Sequence, residues 1–310
     1  MPSSMYARPA LLLALLPLAA SCASTGDETI EAELIEEYQP LGPDTRADDS
    51  IGKYLGDLST SISAWNTMTL DAANDLERRK RSLLEINIRE RVDKRFPELL
   101  TELETGPPRN RVIAAGALGF ASDPAALSPL VAALDDPNER VVANALMGLG
   151  ILASPDTPLG EVALLLRSSP DPNTRWSAAD CALSVVTAGG DAEAVRDAAR
   201  AGLTDPDEPM VRSMCSMILA LSEDVESVDA LGELLFDDTP LVSTAAARAL
   251  AYLGDRKDEA NGEAARALFA AFATEDRELR ERVRPALVKL SRRNFEDDLE
   301  EWKEWVDRLP

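Results

Sequence analysis

The chain has no histidine among its 310 residues, only three cysteines, and aromatic residues at just 5%. Each shortage closes a route. Without imidazole there is no histidine-assisted nucleophile and no histidine-ligated zinc, and the commonest general base is missing. Three thiols cannot build a disulfide framework. Cys181 and Cys215 stand in Ala-rich helical runs and read as small buried thiols. With so few rings, a core drawn from the 45% apolar residues must rest on Ala and Leu. No Gly-rich phosphate loop, CxxC pair, calcium loop or nucleophile elbow occurs. The acidic doublets Asp135-Asp136 and Asp237-Asp238 stand at turns, where they end or cap helices rather than bind metal. The expectation is a chain that is not an enzyme, with no cofactor and no metal.

Positive charge is also scarce. Lys and Arg number 32 against 55 Asp and Glu, a net charge of −23. Nucleic-acid binding needs Lys and Arg on phosphates, so no nucleic-acid partner is expected.

What is present begins at the N-terminus with "MPSSMYARPALLLALLPLAASC". Arg8 supplies a positive start, Pro9 to Ala20 an apolar stretch, and Ala19-Ala20-Ser21 small residues before Cys22. Twelve apolar residues span about 18 Å as a helix, short of a hydrocarbon core of roughly 30 Å. The pattern is that of a secretory signal over 1–21, started at Met1 or Met5. Small residues running into a cysteine resemble the lipobox of bacterial lipoproteins. Here Ala19 holds the place where that family prefers Leu, and Leu18 stands one step earlier. The resemblance implies acylation of Cys22, membrane anchoring through that lipid, and an exported protein of the cell envelope. Residues 22–50 follow as an acidic tether. Asp27 to Ser50 holds nine acidic residues and one basic, Arg46, a composition that favours disorder.

Residues 51–105 show apolar positions at three- and four-residue steps, from Leu58, Ile62 and Trp65 to Phe96, Leu99 and Leu103, and predict a helical segment. Its run from Glu77 to Arg95 carries eight Lys or Arg. With acids interleaved, it reads as a solvated face laced with pairs such as Glu77–Arg81 and Glu90–Lys94. A basic helix lying on an anionic membrane is the other reading.

From residue 106 the chain repeats itself. The dipeptides Ala117-Leu118, Ala145-Leu146, Ala182-Leu183, Ile218-Leu219, Ala249-Leu250 and Ala286-Leu287 mark six helices, their leucines 28, 37, 36, 31 and 37 residues apart. Seven residues before the leucine stand Arg111, Arg212 and Arg280, while Arg140 and Arg175 lie one place off and Ser243 replaces the arginine in the fifth unit. Turns such as "DDPN", "DPNT" and "DDTP" come before, and a second apolar helix comes after, as in "DVESVDALGELLFDD". A two-helix hairpin of this length cannot bury its apolar stripe alone; stacked on its neighbours it can. The last stretch places Phe295, Leu299, Trp302, Val306 and Leu309 on one stripe. Trp302 is expected in the core, and Trp305, off the stripe, is the candidate partner contact.

The stretches "RVIAAGALG", "ERVVANALMGLG" and Val211-Arg212 resemble HEAT repeats, including the bilin-lyase-type HEAT-like units. The resemblance covers 106–310. It implies an all-α fold: a right-handed α-solenoid of about six helical hairpins with an N-terminal helical cap. In that family the second helix of each hairpin tends to line the concave face, so an unidentified protein partner is expected there, with the chain acting as an interaction scaffold. A lyase- or chaperone-like accessory role is the alternative that the bilin-lyase resemblance implies.

Overall fold

The computed structural model describes residues 50–71 and 75–310. The signal, Cys22 and almost all of the acidic tether lie outside the described residues. The chain divides into two compact units, Met1–Glu98 and Leu99–Pro310.

In the first unit, α1 (Ile51–Asp71) packs on α2 (Asp75–Lys94). Leu55, Leu58 and Ile62 of α1 are buried, as are Ile88 and Val92 of α2. The Tyr54 hydroxyl donates to the Arg91 carbonyl at 2.6 Å, and Arg95 lies 4.4 Å over the Tyr54 ring. Arg81, in the middle of the basic run, is not on a solvated face. It falls seven residues before Ile88 on the core-facing stripe, is 7% exposed, and leaves Nε and Nη1 without a hydrogen-bond partner among the described residues.

The helix α3 (Phe96–Thr105) leads into six hairpins. Their first helices are α4 (Pro108–Leu118), α6 (Glu139–Leu152), α8 (Pro172–Thr187), α10 (Pro209–Leu221), α12 (Pro240–Arg256) and α14 (Arg277–Ser291). Their second helices are α5 (Leu127–Ala132), α7 (Leu159–Ser168), α9 (Arg196–Gly202), α11 (Val228–Leu234), α13 (Asp258–Phe272) and α15 (Leu299–Val306). Each first helix packs on the first helix of the next hairpin, and from the second hairpin on it also packs on the second helix of the hairpin before it, giving two layers. Among the described residues there is no strand, and no helix is long and apolar enough to cross a membrane.

The local causes are plain in the sequence. Pro108, Pro172, Pro209 and Pro240 stand at or next to the first helical position, where the missing N–H costs nothing. Asn138, Asp171, Asp276 and Asp298 accept backbone N–H groups as N-caps. Between helices, small residues permit close approach. A Cβ on Gly148 of α6 would stand 2.5 Å from the Ala115 carbonyl oxygen of α4, so the two backbones meet where no side chain fits. The anchor leucines Leu118, Leu146, Leu219, Leu250 and Leu287 are fully buried. Burying a leucine contributes about 2 kcal/mol, and stacking repeats the gain at every seam.

Candidate interaction surface

The arginines singled out by the repeat do structural work at the seams between hairpins. Arg111, Arg175, Arg212 and Arg280 each stand four residues after the N-cap of their helix. Three of them bind the aspartate of the following turn through a guanidinium fork. Arg111 Nε donates to Asp136 Oδ2 at 2.7 Å, Arg175 Nε to Asp205 Oδ2 at 2.6 Å and Arg212 Nε to Asp237 Oδ2 at 2.9 Å. The Nη2 of each completes the fork on the other carboxylate oxygen. Each Nη1 turns back to the preceding turn, to the carbonyls of Gly106, Ser169 and Asp205 respectively. One arginine thus ties two successive turns.

The chain of links is not continuous. In α6 the equivalent position holds buried Val142, and in α12 it holds buried Ser243. Arg140 stands two residues after the Asn138 cap and is exposed, so it does not enter the series. Arg175, one place off when counted back from the leucine, is in register when counted from the cap. Arg280 has the right position but meets Asp297 at 3.5 Å, in the loop between α14 and α15, and lies 5.1 Å over the Phe272 ring.

The carboxylates respond to these partners. For Asp136 the Arg111 hydrogen bonds are the main cause of a pKa below the ordinary range. At Asp205 and Asp237, burial works to raise the pKa. Hydrogen bonds from the arginine and from turn N–H groups outweigh it and leave both below the ordinary value. In the second layer, Asp224 is buried and joined to Arg200 and to the Ser227 hydroxyl. There too, burial pushes the pKa up and these bonds hold it down. Asp180 of α8 is the contrary case: burial alone pushes its pKa up to about 6. Cys181 and Cys215 are buried free thiols, and burial raises both.

The two layers present different surfaces. The first helices carry twelve Arg or Lys and five Asp or Glu; the second helices carry five and ten. Exposed Glu161, Asp197, Asp229, Glu233 and Glu263 make the second-helix side acidic. Two large apolar side chains interrupt it: Leu164 of α7, 58% exposed, and Phe236 just past α11, 54% exposed. Trp302 is fully buried and stacks edge-on against Phe272 at 5.9 Å and Phe295 at 4.8 Å. Trp305 is half-buried, its ring edge-on to Trp302 at 5.9 Å, so part of it is used in packing. Leu299 was expected on the buried stripe and is 38% exposed, because α15 begins at that residue with Asp298 as its cap. Among the described residues no cluster of three His, Cys, Asp or Glu could hold a metal ion.

Helical hairpins stacked in two layers and buckled at their turns by Arg–Asp forks define an α-solenoid. The family profile for HEAT repeats matches residues 96–179 and 161–251, and the chain belongs to the HEAT-repeat family. Solved structures agree on the fold. A computationally designed armadillo repeat protein for modular peptide recognition superposes with TM-score 0.50 at 18% identity, over 62% of this chain and 98% of its own. A designed armadillo repeat protein in complex with the peptide (KR)4 gives 0.50 at 18% identity, over 63% and 98%. An engineered protein gives 0.50 at 20% identity, again over 63% and 98%. No curated protein matches the chain.

Proposed function

We propose that this chain is a non-catalytic lipoprotein of the cell envelope, an interaction scaffold that binds another protein through the second-helix side of its HEAT array. The observation that carries the reading is the exposure of Leu164 and Phe236 on a side otherwise built of charged residues. A pure spacer gains nothing from two large apolar side chains in water, whereas a partner that covers them gains about 2 kcal/mol from each. The scaffold fold itself presents a long, repetitive face suited to an extended partner, and the (KR)4 complex shows a solenoid of this fold holding a peptide. Attachment to the membrane would come from acyl chains on Cys22, which directly follows the apolar and small-residue stretch from Pro9 to Ser21.

The test is mild crosslinking in the native host, followed by affinity capture from envelope extracts. The wild type is run beside Cys22→Ala and beside a Leu164→Glu/Phe236→Glu double variant. The expected result is a discrete protein captured by the wild type and lost with the double variant, and a Cys22→Ala chain that leaves the membrane fraction. Capture of the same proteins by the double variant would remove the binding face. Undiminished membrane partition of Cys22→Ala would remove the anchor.

A further inference from the structure

The opposite side of the array carries a feature that the scaffold reading does not use. Seven Arg or Lys fall between Arg277 and Arg293 against two acidic residues, in a chain whose net charge is −23. On α12, Arg248, Tyr252 and Arg256 recur at steps of four and so share one face; on the adjacent α14, Pro285 and Lys289 do the same. The Tyr252 ring takes the Arg256 guanidinium at 4.8 Å and the Lys289 ammonium at 5.5 Å, one cation from each helix.

Many cations nearby are neutralised. Glu223 holds Lys257 at 2.6 Å and Arg256 at 3.5 Å, and Asp255 holds Arg292. Arg248 and Lys289 make no ion pair among the described residues. Beside them on α10, half-buried Met217 and Leu221, again four apart, continue the same face with apolar surface. An aromatic ring, two unneutralised cations and an apolar border thus lie together on three neighbouring first helices.

We propose that this face, formed by Met217, Leu221, Arg248, Tyr252 and Lys289, docks an acidic peptide segment of a partner protein. Helices packed side by side stand about 8–10 Å apart, so the segment presents carboxylates at that spacing, with an apolar side chain between them to cover Tyr252 and Leu221. An anionic membrane has the same charge but the wrong breadth. The N-terminal ends of α12 and α14 are bordered by Asp237 and Asp238 and by Glu275 and Asp276, which a flat anionic surface would meet. A peptide lying across the C-terminal halves of these helices avoids them.

The test uses the full chain and a fluorescein-labelled twelve-residue peptide of Glu and Asp around a central Leu pair, read by anisotropy. Its Lys counterpart and phosphatidylglycerol vesicles serve as the other probes. The acidic peptide is expected to bind, to weaken as NaCl rises from low to moderate concentration, and to bind about tenfold less tightly to Arg248→Gln/Lys289→Gln. Leu164→Glu, on the second-helix side, leaves this affinity unchanged, which separates the site from the scaffold face. Should the double variant lose its thermal transition, the single Lys289→Gln, at an exposed position, carries the test with a smaller loss. Equal binding by these variants, no binding of the acidic peptide, or binding of vesicles alone would each overturn the proposal.

Discussion

Arg175 and Asp205 face each other across the seam between the third and fourth hairpins, with Nε to Oδ2 at 2.6 Å and Nη2 to Oδ1 at 3.2 Å. Their side chains are 11% and 5% exposed. The same guanidinium reaches the Ser169 carbonyl and Asp207, while Asp205 also accepts the N–H groups of Asp207 and Glu208. Every polar atom at this seam is committed, which is the condition under which a buried pair holds a structure together.

Removing the charge from one side therefore costs more than the pair contributes. Asp205→Asn leaves Arg175 buried with only the exposed Asp207 as counter-charge, and stability should fall by about 3 kcal/mol. Arg175→Lys should fall by a comparable amount, since an ammonium cannot make the fork. Urea unfolding at pH 7 measures both. A change under about 0.5 kcal/mol, the usual range of surface substitutions, would show that the fork does not hold the seam.

The seam carboxylates also set an acid limit. Asp136, Asp205 and Asp237 have folded pKa values below the ordinary one of 3.8. Their contribution is fully present above that value and is lost as pH falls through the depressed folded values. Thermal midpoints should hold from neutral pH down to about pH 4 on this account and drop steeply below. In Asp205→Asn the drop should be shallower. An equally steep drop in that variant would place the acid sensitivity elsewhere.

Asp180 works in the other direction. Its pKa is raised by burial to about 6, so the folded state penalises the ionised carboxylate. No penalty exists below the unfolded value; it grows as pH rises to the folded value and is constant above. Asp180→Asn should be neutral near pH 3.5 and more stable than the wild type at pH 7.5, by about 1–2 kcal/mol given partial exposure. Denaturant curves at the two pH values decide it, and a variant less stable at pH 7.5 would mean that the carboxylate is held by a partner.

Gly148 tests the contact between first helices. With the Ala115 carbonyl oxygen 2.5 Å from the site of a Cβ, and Gly119 opposite also lacking room, Gly148→Ala must push α4 and α6 apart. The helix gains about 1 kcal/mol in propensity from alanine, yet the overpacking should exceed it and leave a net loss of about 1–2 kcal/mol. A stabilised variant, by urea unfolding, would show that the seam can widen freely.

The solenoid itself was legible because its signals are local: a Pro or Asp at each turn, a three-and-four apolar step, and a leucine returning every 28 to 37 residues. The arginines were visible for the same reason. Their partners were not. Asp136, Asp205 and Asp237 lie 25, 30 and 25 residues downstream, and the variable length of each hairpin hides the pairing until the turns are stacked. Arg140 is one place off by its distance from Leu146, but distance from the cap decides where a side chain points at a helix start, and there it is two residues short. Arg81 looked solvated among its charged neighbours, yet its place on the core-facing stripe buries it. The basic face of α12 and α14 has no sequence signature because its cations are divided between two helices and interleaved with Glu278, Glu281 and Pro285; only the packing brings Lys289 to Tyr252.

The guanidinium series skips two places, at Val142 and Ser243. Between Ser169 and Asp237 three turns are riveted to one another, whereas the second hairpin meets the third through side-chain packing and the fifth meets the sixth through packing and the exposed Asp255–Arg292 pair. Compliance along such a series of hairpins is uneven. Under an axial pull the riveted middle travels as a stiff block, and elongation gathers at the joints on either side of it.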